Sequence, residues 1–341
     1  MVSGTMTTEP PVRRLGNNHK LLIGLFASSL LWISQSTFFT LSTMESVTSM
    51  FETSGEEVNA RRRMNVVVFF PDDWRHDTVG AENSLIKTPF LDSLAEHGIR
   101  FSQNAVTTSV CWQSRATLFS GQWASRHQSY KLICPHFMKG ENWNTTWPAI
   151  LREDGYHVGH VGKWQYFSDT TGLFDFQRMF EGRHHVAVNF KPVAAEDHAR
   201  DETIKFLNRR PKDKPFAVTV AFYPPKAVGD GEEPGEQWTP KPNARALYDN
   251  ITVPELPYNH TEAHKLLPQF LRLYTSAANQ RWRKRFRTPT HYQEAMKRIY
   301  ALITQVDQAC KQIVDELRRQ DLLNNTMIIF TTDNGMFHGA Q

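Results

Sequence analysis

Four short apolar runs constrain this chain more than any other feature. Val66-Val67-Val68-Phe69-Phe70 is continuous rather than alternating, the pattern of a strand covered on both faces in a parallel sheet. Similar runs recur at residues 157–161, 216–222 and 327–330, with helical patterns between them. Thr88-Pro89 reads as an N-cap followed by proline at the first helical position, and Gly98 as the stop of that helix. The clearest helix covers about residues 292–319, where Met296, Ile299, Ile303, Val306, Cys310, Ile313 and Leu317 are spaced by three and four. Strands alternating with helices predict an α/β fold, a doubly wound and mostly parallel sheet flanked by helices. No internal repeat interrupts that pattern. With 341 residues, 40% of them hydrophobic, the chain has material for one large or two ordinary domains. Its net charge of +4 is modest; it suits an acidic substrate and does not by itself argue for nucleic acid, which is not expected as a partner. Three cysteines are too few for a disulfide scaffold.

The first 41 residues carry a different signal. Arg13, Arg14 and Lys20 precede an apolar run at 21–33, residues 34–37 interrupt it, and Phe38, Phe39 and Leu41 resume it. That reads as a signal peptide or a signal anchor, with a buried core helix as the bland alternative. Residues 42–60 are polar and acidic, and 42–64 form a linker before order begins at Asn65. The rest, 65–341, is then exported: secreted, lysosomal or vacuolar, or membrane-anchored and facing the lumen or exterior. Sequons at Asn144, Asn250, Asn259 and Asn324 agree with export and predict a glycoprotein. Between about 230 and 289 proline and glycine are frequent and order weakens, which reads as an insertion on the strand-end face. It ends in Arg281-Trp282-Arg283-Lys284-Arg285-Phe286-Arg287, either a grip for an anionic polymer or a solvated helix lead-in.

In open α/β sheets ligands bind outside the carboxyl ends of the strands. Here the first strand ends in Pro71-Asp72-Asp73 and the last in Thr331-Thr332-Asp333-Asn334-Gly335. Alone, each is a common solvated turn. Together they offer three carboxylates and an amide oxygen at one sheet edge, a set that suits Ca²⁺ or Mg²⁺ rather than zinc. Between them, hydroxyl residues at 107–109 offer caps for a short helix that Gly121 ends. Cys111 falls near the amino end of that helix, where free N–H groups favour negative charge, and Arg115 lies one turn later. The bland alternative for Cys111 is a buried structural thiol.

Cys111-Trp112-Gln113-Ser114-Arg115, running on to Gly121, resembles the signature of the sulfatase family, the formylglycine-dependent type I sulfatases of the alkaline-phosphatase-like superfamily. Further segments resemble that family in the same order: 65–73 its first strand and metal pair, 88–101 its threonine-proline helix leading into Gly-Ile-Arg-Phe, 155–164 its Gly-Lys-Trp strand end, and 325–335 its last metal strand. The resemblance implies that Cys111 is oxidised to formylglycine by a formylglycine-generating enzyme in the secretory pathway. It implies that Asp72, Asp73, Asp333 and Asn334 hold Ca²⁺, with Mg²⁺ the alternative, and that Arg115 and Lys163 neutralise charge on the transferring group. The implied reaction is hydrolysis of a sulfate ester, on a sulfated small molecule or a sulfated polysaccharide.

Three positions depart from the family pattern. Gln113 stands where proline or alanine is usual, Gln165 where histidine is usual, and Lys226, after Tyr223-Pro224-Pro225, where another histidine is usual. Lysine contacts an anion but does not readily give up a proton unless its pKa falls, and glutamine only hydrogen-bonds. His338 is a candidate replacement, with a surface histidine as the bland reading. Family members also continue past Asp-Asn-Gly into a lysine-bearing loop and a C-terminal subdomain, so a domain truncated at Gln341, and an inactive fragment, enter the expectation. The alternatives to sulfate-ester hydrolysis are a phosphate or phosphonate ester hydrolase of the same superfamily and a non-catalytic binder of sulfated glycans.

Overall fold

The computed structural model describes residues 63–180, 183–229, 231–254, 265–273 and 276–339. The signal or anchor segment, most of the linker, Asn259 and Gln341 lie outside the described residues. Five strands form one parallel sheet: β1 (Asn65–Phe69), β2 (His157–Gly162), β3 (Phe176–Met179), β6 (Phe216–Ala221) and β7 (Thr326–Phe330), in the order β3-β2-β6-β1-β7. The four predicted apolar runs are β1, β2, β6 and β7. A small antiparallel hairpin, β4 (His185–Val188) with β5 (Lys191–Ala194), stands apart. Every residue of β6, at the centre of the sheet, is buried, because helices cover both faces.

The helices that matter most here are α1 (Pro89–His97), α2 (Cys111–Ser120), α3 (Ala195–Arg209), α4 (Ala277–Phe286) and α5 (Pro289–Arg319). The predicted apolar stripe of α5, from Met296 to Leu317, is buried along its whole length, and it packs in one core with Val67, Phe69, Val218, Val220, Phe206 and Leu207. A second, aromatic cluster of Phe119, Phe137, Trp143, Trp164, Tyr166 and Phe174 lies behind α2.

Two readings need correction. Thr88 precedes α1 but does not cap it; its hydroxyl pairs with Asp92 and accepts from the Gly80 N–H. The free N–H groups of Phe90 and Leu91 go instead to the carboxylate of Asp307 on α5. The stretch at 230–289 is not a loose insertion where it is described. Trp238 and Tyr248 are wholly buried in the main core, and the Tyr248 hydroxyl accepts one hydrogen bond from the Lys87 N–H and shares another with Thr304.

Candidate active site

Parallel pairing sets the geometry. Asn65 to Phe69 pair in register with Thr326 to Phe330, and continuing that register past the strands sets Asp72 level with Asp333 and Asp73 level with Asn334. The Asp73 N–H donates to Asp333 Oδ1 at 3.2 Å, and the Asn334 amide donates to Asp73 Oδ1. Asp73 takes a left-handed backbone, φ 60°, which aspartate tolerates better than most residues. Thr332 ties the two strand ends together by donating to Pro71 O at 3.1 Å and accepting from the Trp74 N–H at 3.3 Å.

The neighbouring strands deliver the cations. At the end of β2, Gly162 has φ 100°, and a Cβ there would meet Ala221 O at 2.1 Å, so only glycine lets β2 run flush against β6 and turn out at Lys163. The Lys163 ammonium is buried and contacts Asp72 Oδ2 directly. Past β6, Lys226 Nζ lies 3.0 Å from Asp73 Oδ2, 3.4 Å from Asp72 Oδ1 and 3.1 Å from Cys111 Sγ. Cys111 is the first residue of α2, with Val110 as N-cap and no side-chain cap, so the hydroxyls at 107–109 do not cap this helix as expected. Its Sγ lies 3.4 Å from Asp72 Oδ1. Gly121 ends α2 in the left-handed conformation, as predicted. One turn along α2, Arg115 is 1% exposed, donates to Asp333 Oδ2 at 2.8 Å and to Lys163 O at 3.2 Å, and lies over the Phe70 ring.

Eight of the ten predicted site residues therefore meet at one sheet edge: Asp72, Asp73, Cys111, Arg115, Lys163, Lys226, Asp333 and Asn334. Gln165 lies two residues past Lys163, half-buried and with φ 79°. His338 is not on the surface: it is 4% exposed, and burial together with the nearby Arg75 lowers its pKa to about 3. It is therefore neutral at ordinary pH and has no proton ready to donate from an imidazolium.

Charge follows from this packing. Burial opposes ionisation of Asp72, but Lys163, Lys226 and Arg115 outweigh it and hold its carboxyl well below the usual range. Asp333 is pushed up by burial and by the charge of Asp72. Burial also opposes the charge on Lys226, yet Asp72 and Asp73 prevail and keep it protonated far above an ordinary lysine. The one condition under which Lys226 would release a proton is thus not met; it is a fixed positive charge. The Cys111 thiol is pushed up to about 12, by burial first and then by Asp72 and Asp333, against the pull of the two lysines. A thiol so placed is protonated at neutral pH and is a poor nucleophile as it stands.

The donor set fits a hard cation. One ligand atom each from Asp72, Asp73, Cys111 and Asp333 lies within 4.8 Å of the others. Asn334 Oδ1 is buried with no hydrogen-bond partner, an arrangement that is costly unless something electropositive faces it.

Sequence reasoning missed the residues that support this centre. His184, 2% exposed, accepts the Thr239 N–H on Nδ1 at 3.2 Å, so Nε2 carries the proton and donates to Lys226 O at 2.8 Å. The Trp238 indole donates to Pro225 O at 3.0 Å. His160, wholly buried, contacts Lys163 O at 3.3 Å through Nε2. Each holds a backbone carbonyl in or next to a site residue. His184 and Trp238 sit in no motif, His160 lies in the 155–164 segment without being singled out by it, and only the fold gives the three these contacts.

The sequence model of a family described as Sulfatase matches residues 64–340. An N-acetylglucosamine-6-O-sulfatase of Bacteroides thetaiotaomicron is 23% identical over 378 residues, covering 92% of this chain and 65% of the relative. The N-sulphoglucosamine sulphohydrolase of Homo sapiens is 26% identical over 294 residues, covering 81% and 51%. A solved structure in complex with its substrate, D-glucosamine-2-N,6-O-disulfate, matches with a TM-score of 0.64 at 21% identity, over 82% of this chain and 67% of that one. The chain spans about half to two thirds of the length of the curated relatives it matches.

Proposed function

Because the chain belongs to the sulfatase family, we propose that it hydrolyses sulfate esters at this strand-end centre, on a sulfated sugar. The observation that carries the reading is the convergence of Cys111, three carboxylates and three cations from four strand ends and one helix start. Cys111 is the site of conversion to formylglycine, which supplies a hydrated aldehyde oxygen as nucleophile. The metal, Ca²⁺ or Mg²⁺ held by Asp72, Asp73, Asp333 and Asn334, supplies Lewis-acid polarisation of the sulfate.

The chain's own side chains do the rest. Lys226, 3.1 Å from the Cys111 sulfur, presents fixed positive charge, and Lys163 a buried ammonium against Asp72, where negative charge grows on the transferring group, the kind of preorganised stabilisation that dominates many such reactions. Arg115 stays charged and orients Asp333. Since Lys226 remains protonated, the leaving oxygen takes its proton from water or from the substrate side rather than from this lysine.

Maturation in the secretory pathway belongs to the same proposal. Asn144, Asn250 and Asn324 are all exposed, as glycan acceptors must be. Among the described residues no helix is long and apolar enough to cross a membrane.

Two measurements test the reading. Mass spectrometry of the Cys111 peptide from protein made in a secretory host should show the aldehyde. Parallel assays with aryl sulfate and aryl phosphate, with and without chelator, should show chelator-sensitive sulfate release. Preferential phosphate release would shift the assignment to a phosphate or phosphonate ester hydrolase. An unmodified thiol in a protein that still binds sulfated glycans would make it a binder.

A further inference from the structure

Helix α4 carries four cations, Arg281, Arg283, Lys284 and Arg285, and its C-cap Arg287 a fifth, and they are not equivalent. Lys284 pairs with Glu232, Arg287 donates to Glu233 at 2.9 Å, and Arg283 donates to Asn279 at 2.9 Å. Arg281 and Arg285, one turn apart on the same face, face no carboxylate within ion-pair distance among the described residues. Arg285 is half-buried. Its guanidinium lies 5.5 Å from the centre of the Trp238 ring, and its Nε donates to the amide oxygen of Gln237 at 3.1 Å. Two like charges at this spacing repel, and no described carboxylate forms an ion pair with either. Burial, and then the charge of Arg281, lower the Arg285 pKa to about 10, while Asp73 and Tyr223 act in the opposite direction.

The location gives the pair its meaning. Trp238, on which Arg285 rests, is the residue whose indole holds Pro225 O, one residue before Lys226. Asp73, whose charge acts on Arg285, belongs to the reaction centre, and Tyr223 to the loop leading to Lys226. Phe286, next in α4, touches the segment that follows Asp333 and Asn334, since a Cβ on Gly339 would lie 3.3 Å from its ring. The guanidinium pair therefore stands beside the reaction centre.

We infer that Arg281 and Arg285 form a second anion subsite, which takes a sulfate or carboxylate carried elsewhere on the same sugar whose sulfate ester occupies the reaction centre. Planar guanidinium forks suit such groups, which they bind through paired, charge-assisted hydrogen bonds. The inference rests on the proposed sulfatase reading, and it narrows the substrate class to sugars with at least two anionic groups.

The test compares a glucosamine bearing two sulfate groups with an aryl monosulfate, using the full chain. In R281Q/R285Q, the ratio of kcat/KM for the disulfated sugar to that for the aryl ester is expected to fall by about tenfold or more, carried by KM. R281Q alone, at an exposed position, is expected to fall in the same direction without risk to folding. R285K, which keeps the charge but loses the fork, is expected to lie between wild type and R285Q. An unchanged ratio overturns the subsite. If wild type cleaves neither ester, the hydrolase reading fails separately, and the subsite is judged by calorimetric binding of the disulfated sugar to C111A with and without R281Q/R285Q. Equal affinity in that comparison overturns it; a loss of about tenfold sustains it.

Discussion

Cys111 concentrates the residue-scale chemistry. Its signature was legible as a resemblance to the family pattern, while helix spacing alone left a structural thiol open, and the structure puts Cys111 and Arg115 both on α2. What no motif discloses is the thiol's electrostatic setting. With its pKa near 12, only about one Cys111 thiol in 10⁴ is ionised at pH 8. Protein made in a host without the cysteine-oxidising enzyme should therefore react with iodoacetamide at exposed Cys134 first, and at Cys111 at least about a hundredfold more slowly. Equal labelling of the two peptides would mean that the lysines, not the aspartates, govern this sulfur. Lys226 was legible only as a departure from the family's histidine, and its partners explain why it is tolerated: two aspartates keep it charged. Replacing it by alanine removes that charge from beside the nucleophile, and kcat/KM for aryl sulfate should drop by about 10²–10³. Substituting histidine at the same position, with its lower pKa, should give a variant whose rate depends on pH between about 5 and 8, whereas wild type should show no lysine-derived limb there.

Among the elements, α1 shows where local sequence reasoning stops. Thr88-Pro89 correctly places its start, since proline is at home in the first turn. The acceptor for its free N–H groups is Asp307, on a helix more than two hundred residues later, and no local pattern points there. Asp307 is 1% exposed, and its pKa rises from 3.8 to about 6, because burial and Asp92 outweigh the two backbone N–H bonds. The sign follows from proton linkage. Between about pH 4 and pH 6 the folded protein retains a proton that the unfolded chain has released, so this group's contribution to stability falls as pH rises. Above about pH 6 the full cost of roughly 3 kcal/mol is present. D307N keeps an acceptor for Leu91 but never ionises, so the stability of wild type relative to D307N should decline by up to about 3 kcal/mol from pH 4 to pH 7. Urea melts across that range supply the comparison, and parallel pH profiles would remove the carboxylate from the account. D307A, which orphans both N–H groups, should cost about 1–3 kcal/mol near pH 4, where Asp307 is neutral in the folded protein, and less as pH rises and wild type loses its own stability.

For the molecule as a whole, four apolar runs made a parallel sheet legible, but not the order of its strands. β1 pairs with β7 from the far end of the chain, and Val66 or Ile328 would pack equally well beside any parallel neighbour. β3 was missed because only part of its four-residue face is covered, so its sequence never becomes a continuous apolar run. The pairing of β1 with β7 matters most, since it brings together, from residues 261 apart in sequence, the donors of the proposed cation site. An unfolded chain holds no such site, so cation binding adds directly to folding stability, by about 2.7 kcal/mol when free metal is a hundredfold above Kd. Arg115, Lys163 and Lys226 already face the same carboxylates, so the metal-free protein should stay folded and chelation should shift the melting temperature rather than abolish the transition. A shift on the order of 5 °C between saturating Ca²⁺ and chelator is expected, and D333N, which removes one ligand charge, should show little of it. Scanning calorimetry on both proteins decides the matter. The same melting point with and without metal in wild type would mean that the oxygen donors belong to a buried polar network neutralised by Arg115, Lys163 and Lys226 alone, and that the sheet register brings them together for stability.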